Sequence, residues 1–193
     1  MPRTREFDPN QALDKAMNVF WRKGYANTSI EDLVNVTGVN RYGLYDEFES
    51  KRGLFLACLD HYQDTVVEDA FGVVEQPNAG LKNIRAYFMR LLQPSDTDQV
   101  QLGCLMVNTA SDVAPSDKRA ANKVEKFRSR LQSGFRRALS NAKGRRDLPA
   151  RFDSEKSADF LTGVAQGLSV MARSHADPKM MTNVIEATLA SLK

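Results

Sequence analysis

The sequence predicts an all-α chain of about nine helices, arranged as a small N-terminal head and a larger helical body. Apolar residues recur at three- and four-residue spacing along nearly every segment, and no convincing two-residue alternation appears. Helix starts are marked by capping residues: Asp8 before Pro9, Thr28 three residues ahead of Glu31, Asn40, Ser50, and Asp177 before Pro178. The separators "QPSDTDQ" and "AKGRRDLPARF" are polar loops with Pro or Gly, and there is no internal repeat or low-complexity segment.

The first helix starts at the Asp8-Pro9 cap, carries Ala12, Ala16, Val19 and Phe20 on one stripe, and stops at Gly24. Thr28-Ser29-Ile30-Glu31 reads as a capping box opening a second helix with Ile30, Leu33 and Val34 inward, ending near Val36. Gly38 lies in a turn too short for anything but two helices at a steep angle. A third helix of two turns follows the Asn40 cap, with Leu44 and Phe48 inward. A fourth starts at Ser50 and is expected to run unbroken to Val74, where Gln76-Pro77-Asn78 ends it. Further helices are expected over 79–92, 101–113, 117–142, 153–175 and 178–191. The division predicted is 1–52 for the head and 53–193 for the body, joined by the fourth helix.

Composition narrows the function classes. The chain has 193 residues, 42% hydrophobic and 26% charged, which suits packed cores rather than disorder. No run approaches the roughly 18 apolar residues of a membrane span, and Met1 to Glu6 has no apolar signal core, so a cytoplasmic location is expected. The two cysteines, Cys58 and Cys104, have no CxxC spacing, which argues for reduced, buried thiols rather than a disulfide scaffold or structural zinc. With His61 and His175 as its only histidines and no phosphate loop, the chain offers little from which to assemble a catalytic site, and no cofactor is expected. The net charge of +3 is uneven: zero over 1–52, −5 over 53–116, +9 over 117–151 and −1 over 152–193.

Two short helices joined by a Gly-containing turn and braced by a preceding helix form a helix-turn-helix, whose second helix enters the major groove. With Leu44 and Phe48 inward, Arg41, Tyr42, Tyr45 and Asp46 share the outer face of the third helix. An Arg fork suits guanine O6 and N7, and a Tyr suits phosphate or a thymine methyl, although packing on the head itself competes for Tyr45. Asp46 either accepts from cytosine N4 or orients Arg41 or Tyr42. Gly43 is either a weak spot in the helix or a close approach of backbone to DNA, and Asn40 caps the helix beside it. Lys51 and Thr28, each at a helix start, are the expected phosphate contacts. Arg3 and Arg5 are either a groove-reaching arm or a frayed terminus.

"TSIEDLVNVTGVNRYGLYDEFESKRGLF", residues 28–55, resembles the DNA-binding segment of TetR-family transcriptional regulators. Thr28, Gly38, Val39, Leu44, Tyr45, Phe48, Ser50, Lys51 and Leu54 match the family pattern, whereas Leu33-Val34 replaces the usual Ile-Ala and Asn40 the usual cap Ser. The likeness covers roughly the first 60 residues, and "GCLMVNTA", 103–110, is similar to a stretch in some members. It implies a homodimeric repressor released from a pseudo-palindromic DNA operator by a small-molecule effector. It also implies that the last two helices of each subunit pair across a two-fold axis. The candidate dimer residues are Phe160, Gly163, Val164, Gly167, Leu168 and Met171, then Met181, Val184, Ile185, Thr188 and Leu189.

The candidate effector pocket comprises Tyr62, Tyr87, Phe88, Leu91, Cys104, Met106, Phe127 and Phe135, although such stripes also serve as plain core. Two other regulatory readings stand beside it: metal held by Cys58, His61 and Cys104, or oxidant sensing at Cys104. A helical protein-interaction adaptor is the rival from another class. In 117–151, Lys118, Lys123, Lys126, Arg130 and Arg137 interleave with Val124, Phe127, Leu131, Phe135 and Leu139, which marks a solvated basic face or, alternatively, a second DNA surface.

Overall fold

The computed structural model describes residues 7–92 and 101–192, and every regular element among them is helical. Arg3, Arg5 and the loop "QPSDTDQ" lie outside the described residues. Counted with the 51–75 rod as one, nine helices are seen among the described residues, as the sequence predicts.

Helix α1 (Pro9–Lys23) is capped by Asp8, whose carboxylate accepts from the Asn10 amide at 2.9 Å. Its buried face is wider than the predicted stripe: Met17 and Trp21 join Ala12, Ala16 and Phe20, while Val19 sits on the flank. The face packs on α4 (Lys51–Tyr62) through two edge-to-face pairs, Phe20 with Phe55 and Trp21 with Tyr62, each at 5.0 Å between ring centroids.

Helix α2 (Ile30–Thr37) does not open on the predicted Thr28–Glu31 pair. Ser29 is the cap: its hydroxyl accepts from the Asp32 amide at 3.0 Å and its amide donates to the Asp32 carboxylate at 2.9 Å. Lys23 reaches the same carboxylate at 2.7 Å, a long-range contact that favours the later of two overlapping boxes. Gly38 then ends α2 in the left-handed conformation, φ 74° and ψ 5°, a turn glycine adopts without a Cβ penalty. Helix α3 (Arg41–Phe48) follows, with the Gly43 amide donating to the Asn40 side chain at 2.8 Å, Leu44 buried and Phe48 half-buried.

The predicted unbroken fourth helix is three pieces: α4, a π-turn over Gln63–Val67, and α5 (Glu68–Glu75). At the turn the Glu68 amide donates to the Gln63 carbonyl five residues back, and that same carbonyl accepts from Arg130 Nη1 at 3.2 Å. A carbonyl drawn toward an outside donor is a recognised cause of such a bulge. Helices α6 (Leu81–Arg90), α7 (Leu105–Asp112), α8 (Lys118–Gly144), α9 (Ser154–Arg173) and α10 (Pro178–Ala190) complete the fold. Helix α7 starts four residues later than the predicted 101 because Gly103 has φ 64° and Cys104 is extended.

Helix α8 is the spine, packed by α5, α6, α7 and α9, with Phe71, Tyr87, Phe88 and Phe135 interlocked at its centre. Much of its basic surplus is consumed internally. Arg130 pairs with Glu68 and Glu75, Lys123 with Asp60 at 2.5 Å, and Arg137 donates to the Glu75 carbonyl at 2.8 Å. The acidic 53–116 region and the basic 117–151 region therefore neutralise each other across the α4–α5/α8 seam.

Three polar ties join the N-terminal helices to the rest. The Arg52 guanidinium binds Asp117 through Nε at 2.5 Å and Nη2 at 2.9 Å, His61 Nε2 meets Asp14 at 2.6 Å, and Arg173 donates to the Trp21 and Arg22 carbonyls at 3.0 and 3.2 Å. Asp117 also caps α8 by accepting from the Arg119 and Ala120 amides. The Arg52 guanidinium holds the Asp117 carboxyl well below the usual carboxylate range. A depressed folded-state pKa stabilises above the unfolded value near pH 4 and is lost as pH falls through the folded value. We expect Asp117→Asn, which still caps, to cost a few tenths of a kcal/mol and to flatten this acid-limb dependence, since Arg52 is partly exposed. Asp117→Ala loses about 1 kcal/mol more. Urea unfolding at neutral and acid pH checks both.

Candidate nucleic-acid interface and effector cavity

The outer face of α3 is built as the sequence predicts. Arg41, Tyr42 and Asp46 are exposed, Tyr42 by 67%, and Tyr45 is half-buried. Arg41 lies over the Tyr45 ring at 5.2 Å from its centroid, and Lys51, the first residue of α4, lies over the Tyr25 ring at 4.5 Å. Each ring holds a cation at the surface and limits its rotamers, so neither guanidinium nor ammonium has to be ordered from a free state on meeting an anion. Glu49 terminates α3 at φ 68°, unusual for a residue with a Cβ, and α4 starts two residues later at Lys51.

Two expectations for this face change. Thr28 is buried, 1% exposed, and its hydroxyl donates to the Gly24 carbonyl at 2.7 Å, so the exposed hydroxyl at the start of α2 belongs to Ser29. Gly43 has a reason within the chain: a Cβ there would meet Val39 Cγ1 at 3.0 Å and Phe7 Cε1 at 3.7 Å.

Below the three N-terminal helices lies a cavity of about 530 Å³ between the 51–75 rod, α6, α7, α8 and α9. Of the predicted lining, Tyr62, Tyr87, Leu91, Cys104 and Phe127 are present. Phe88, Met106 and Phe135 are not; they are wholly buried in the core, Phe88 and Phe135 packed on the lining residue Tyr87. Leu168 and Met181, assigned by resemblance to the dimer face, line the cavity instead. The polar groups of the wall are the paired Asp69 and Arg90, together with Gln166, Ser169, Tyr62, Tyr87 and Cys104. Sequence reasoning missed Trp21, which reaches the cavity from α1; its spacing of four from Met17 on the buried face was the available signal.

The candidate dimer residues divide by exposure. Phe160 at 49%, Gly163 and Gly167 are exposed, and Val164, Met171, Val184 and Leu189 are half-buried. A Cβ added at Gly163 or Gly167 meets nothing within 4 Å. Leu168, Met181, Ile185 and Thr188 are buried within the subunit, because α9 and α10 each turn one stripe onto their own body. Val170 and Met180, 55% and 56% exposed, extend the outward apolar surface.

Among the described residues no three His, Cys, Asp or Glu side chains gather to hold a metal, and no helix is long and apolar enough to cross a membrane. Cys58 is buried beside the Leu13 carbonyl, its thiol pushed up by burial; Cys104 is half-buried against Tyr62, and its thiol is also pushed up by burial. Oxidant-sensing thiols require the opposite shift.

Residues 12–58 match a family model described as bacterial regulatory proteins, tetR family, and residues 80–188 one described as the tetracyclin repressor-like C-terminal domain. The HTH-type transcriptional repressor ComR of Escherichia coli (strain K12) is 31% identical over 188 residues, spanning 97% of this chain and 90% of ComR. YezE of Bacillus subtilis (strain 168), an uncharacterized HTH-type transcriptional regulator, is 28% identical over 193 residues, the whole of both chains. Among solved structures, a cysteine mutant of the TetR-family regulator CifR complexed with 26-bp operator DNA superposes with a TM-score of 0.87. It is 28% identical and covers 99% of this chain and 100% of that one.

The capping geometry makes a direct prediction. Ser29→Ala should lower stability by about 1 kcal/mol, and Glu31→Gln should leave it within about 0.5 kcal/mol, in urea unfolding. The reverse order would restore the Thr28–Glu31 box.

Proposed function

Because this chain belongs to the tetR family of bacterial regulatory proteins, a family of transcriptional regulators and not of enzymes, we propose that it is a homodimeric repressor released from a pseudo-palindromic operator by a small ligand. Residues 1–52 serve as the DNA-binding head and 53–193 as the ligand-binding and dimerisation body. The observation that carries this reading is the shared helix: α1 packs on α2 and α4 and also contributes Trp21 to the cavity wall. Occupancy of the cavity is thus felt within the helix on which α2 and α4, the two helices packed against the reading helix, both rest.

Helix α3 lies in the major groove, with Arg41, Tyr42 and Asp46 at the base edges, Tyr45 and Asn40 beside them, and Gly43 keeping the backbone slim. Lys51 and the start of α2, where Ser29 takes the place expected of Thr28, contact phosphates on either side of the groove. The operator-bound CifR structure and the repressor ComR support this assignment. Because the head carries as many acids as bases, unspecific affinity is modest and discrimination rests on base contacts made twice.

The outward apolar surface of α9 and α10, with Phe160, Gly163, Val164, Gly167, Val170, Met171, Met180, Val184 and Leu189, pairs with a second copy, its glycines allowing close backbone approach. Two α3 helices then face half-sites about 34–36 Å apart. A ligand that favours a different head spacing releases the operator without touching DNA.

The test is a mobility shift with promoter fragments flanking the chain's own gene. A salt-sensitive, site-preferring shift is expected, and its absence ends the regulator reading. Arg41→Ala should cost about 1–3 kcal/mol on the preferred site and relax base preference. Lys51→Ala should weaken all sequences alike and reduce the salt slope by about 1. Equal losses across all sequences for both variants would overturn the division of roles.

A further inference from the structure

The cavity combines an aromatic, uncharged lining with a single ion pair. Five aromatic residues line it, Trp21, Tyr62, Phe71, Tyr87 and Phe127, which suits flat, apolar matter. Gln166 and Ser169 add polarity without charge. Burial raises the Tyr62 and Tyr87 phenols and the Cys104 thiol above their ordinary ranges, so all three stay protonated at neutral pH.

Among the described residues of the wall, Asp69 and Arg90 alone carry charge, and they are paired with each other. Helices α5 and α6 bring them together. Phe71 of α5 meets Tyr87 of α6 edge to face at 5.1 Å between ring centroids, with Asp69 two residues before Phe71 and Arg90 one turn after Tyr87. The two aromatics are buried, whereas the Arg90 and Asp69 side chains are 50% and 69% exposed, so the ion pair stands where the lining meets solvent. So exposed a pair contributes little to stability. Its effect on binding is larger. A guanidinium alone on this wall would be a fork for a carboxylate, but beside Asp69 an incoming anion must displace one carboxylate and suffer its repulsion.

We propose that the cavity takes an uncharged, largely aromatic ligand, and that Asp69 sets this specificity by occupying Arg90. This rests on the ligand-released reading above and deepens it, naming the chemical class of the ligand and the residue that excludes its anionic relatives. A cationic ligand fares no better, because it gives up hydration on entering the aromatic lining and finds Asp69 already paired.

Matched probes test the proposal by titration calorimetry on the intact chain without DNA. 2-Naphthamide and 2-naphthoate share their rings and shape and differ in charge, and 2-naphthylmethylammonium supplies the opposite sign. In the unsubstituted protein, 2-naphthamide should bind roughly 10-fold more tightly than either ion. Asp69→Asn should strengthen 2-naphthoate about 5-fold while leaving 2-naphthamide within about 2-fold. Adding Arg90→Gln to Asp69→Asn should abolish that gain, which a merely loosened cavity would keep. Binding of 2-naphthamide by the variants also shows that their cavity is folded, and if they do not fold, the probe comparison in the unsubstituted protein decides alone. Either ion bound as tightly as 2-naphthamide, no binding of 2-naphthamide, no gain for 2-naphthoate in Asp69→Asn, or a gain that survives Arg90→Gln would each overturn it. Since no DNA is present, these failures are distinct from failure of the repressor reading, which the mobility shift decides.

Discussion

The last turn of α1 is the point on which the structure depends. Its side chains face two ways: Phe20 packs on Tyr25, between α1 and α2, and on Phe55 of α4, and Trp21 packs on Tyr62 at the cavity wall. Its carbonyls, left without intrahelical partners as at any helix end, accept from Arg173 of α9. A cation at the negative end of a helix is favourable in itself, and here it also fixes α1 to the far side of the cavity. The turn cannot shift toward the cavity without disturbing its aromatic pairs with α4 and the Arg173 guanidinium together. That shared load is the physical basis for the proposed coupling between the body and the reading face.

Charge plays a different part from the one its distribution along the chain suggests. The basic surplus of 117–151 would mark a nucleic-acid surface if its side chains were free, but Lys123, Arg130 and Arg137 are turned onto Asp60, Glu68, Glu75 and the Glu75 carbonyl. They fasten α8 to the rod, and Arg130 also holds the Gln63 carbonyl at the π-turn. The α3 face has fewer bases, yet its Arg41, and Lys51 at the start of α4, are presented over Tyr45 and Tyr25. Position decides function here, and net charge does not.

What was legible in the sequence follows from how locally each feature is determined. Caps at Asp8, Asn40, Ser50 and Asp177 act over two or three residues and stand where they were read. The outer face of α3 follows from periodicity once Leu44 is placed inward. The box at α2 was displaced by one residue because Thr28–Glu31 and Ser29–Asp32 overlap and a lysine nine residues before Asp32 selects between them. Residues that line a void cannot be told from core residues by spacing, which is why Phe88, Met106 and Phe135 were misassigned and Trp21 was missed. Leu168, Met181, Ile185 and Thr188, placed on the dimer face by resemblance, are buried within the subunit, while Val170 and Met180 are exposed beside Phe160. The Arg52–Asp117 tie joins residues 65 apart and has no local signature.

The central claim is that filling the cavity displaces the reading helices. Operator affinity of Ala165→Phe tests it most directly, because Ala165 is buried in the cavity wall on α9 and a phenyl group there occupies the void without any ligand. A folded dimer that has lost tenfold or more in operator affinity is the predicted result. A folded dimer that binds operator as tightly as the unsubstituted protein would contradict it.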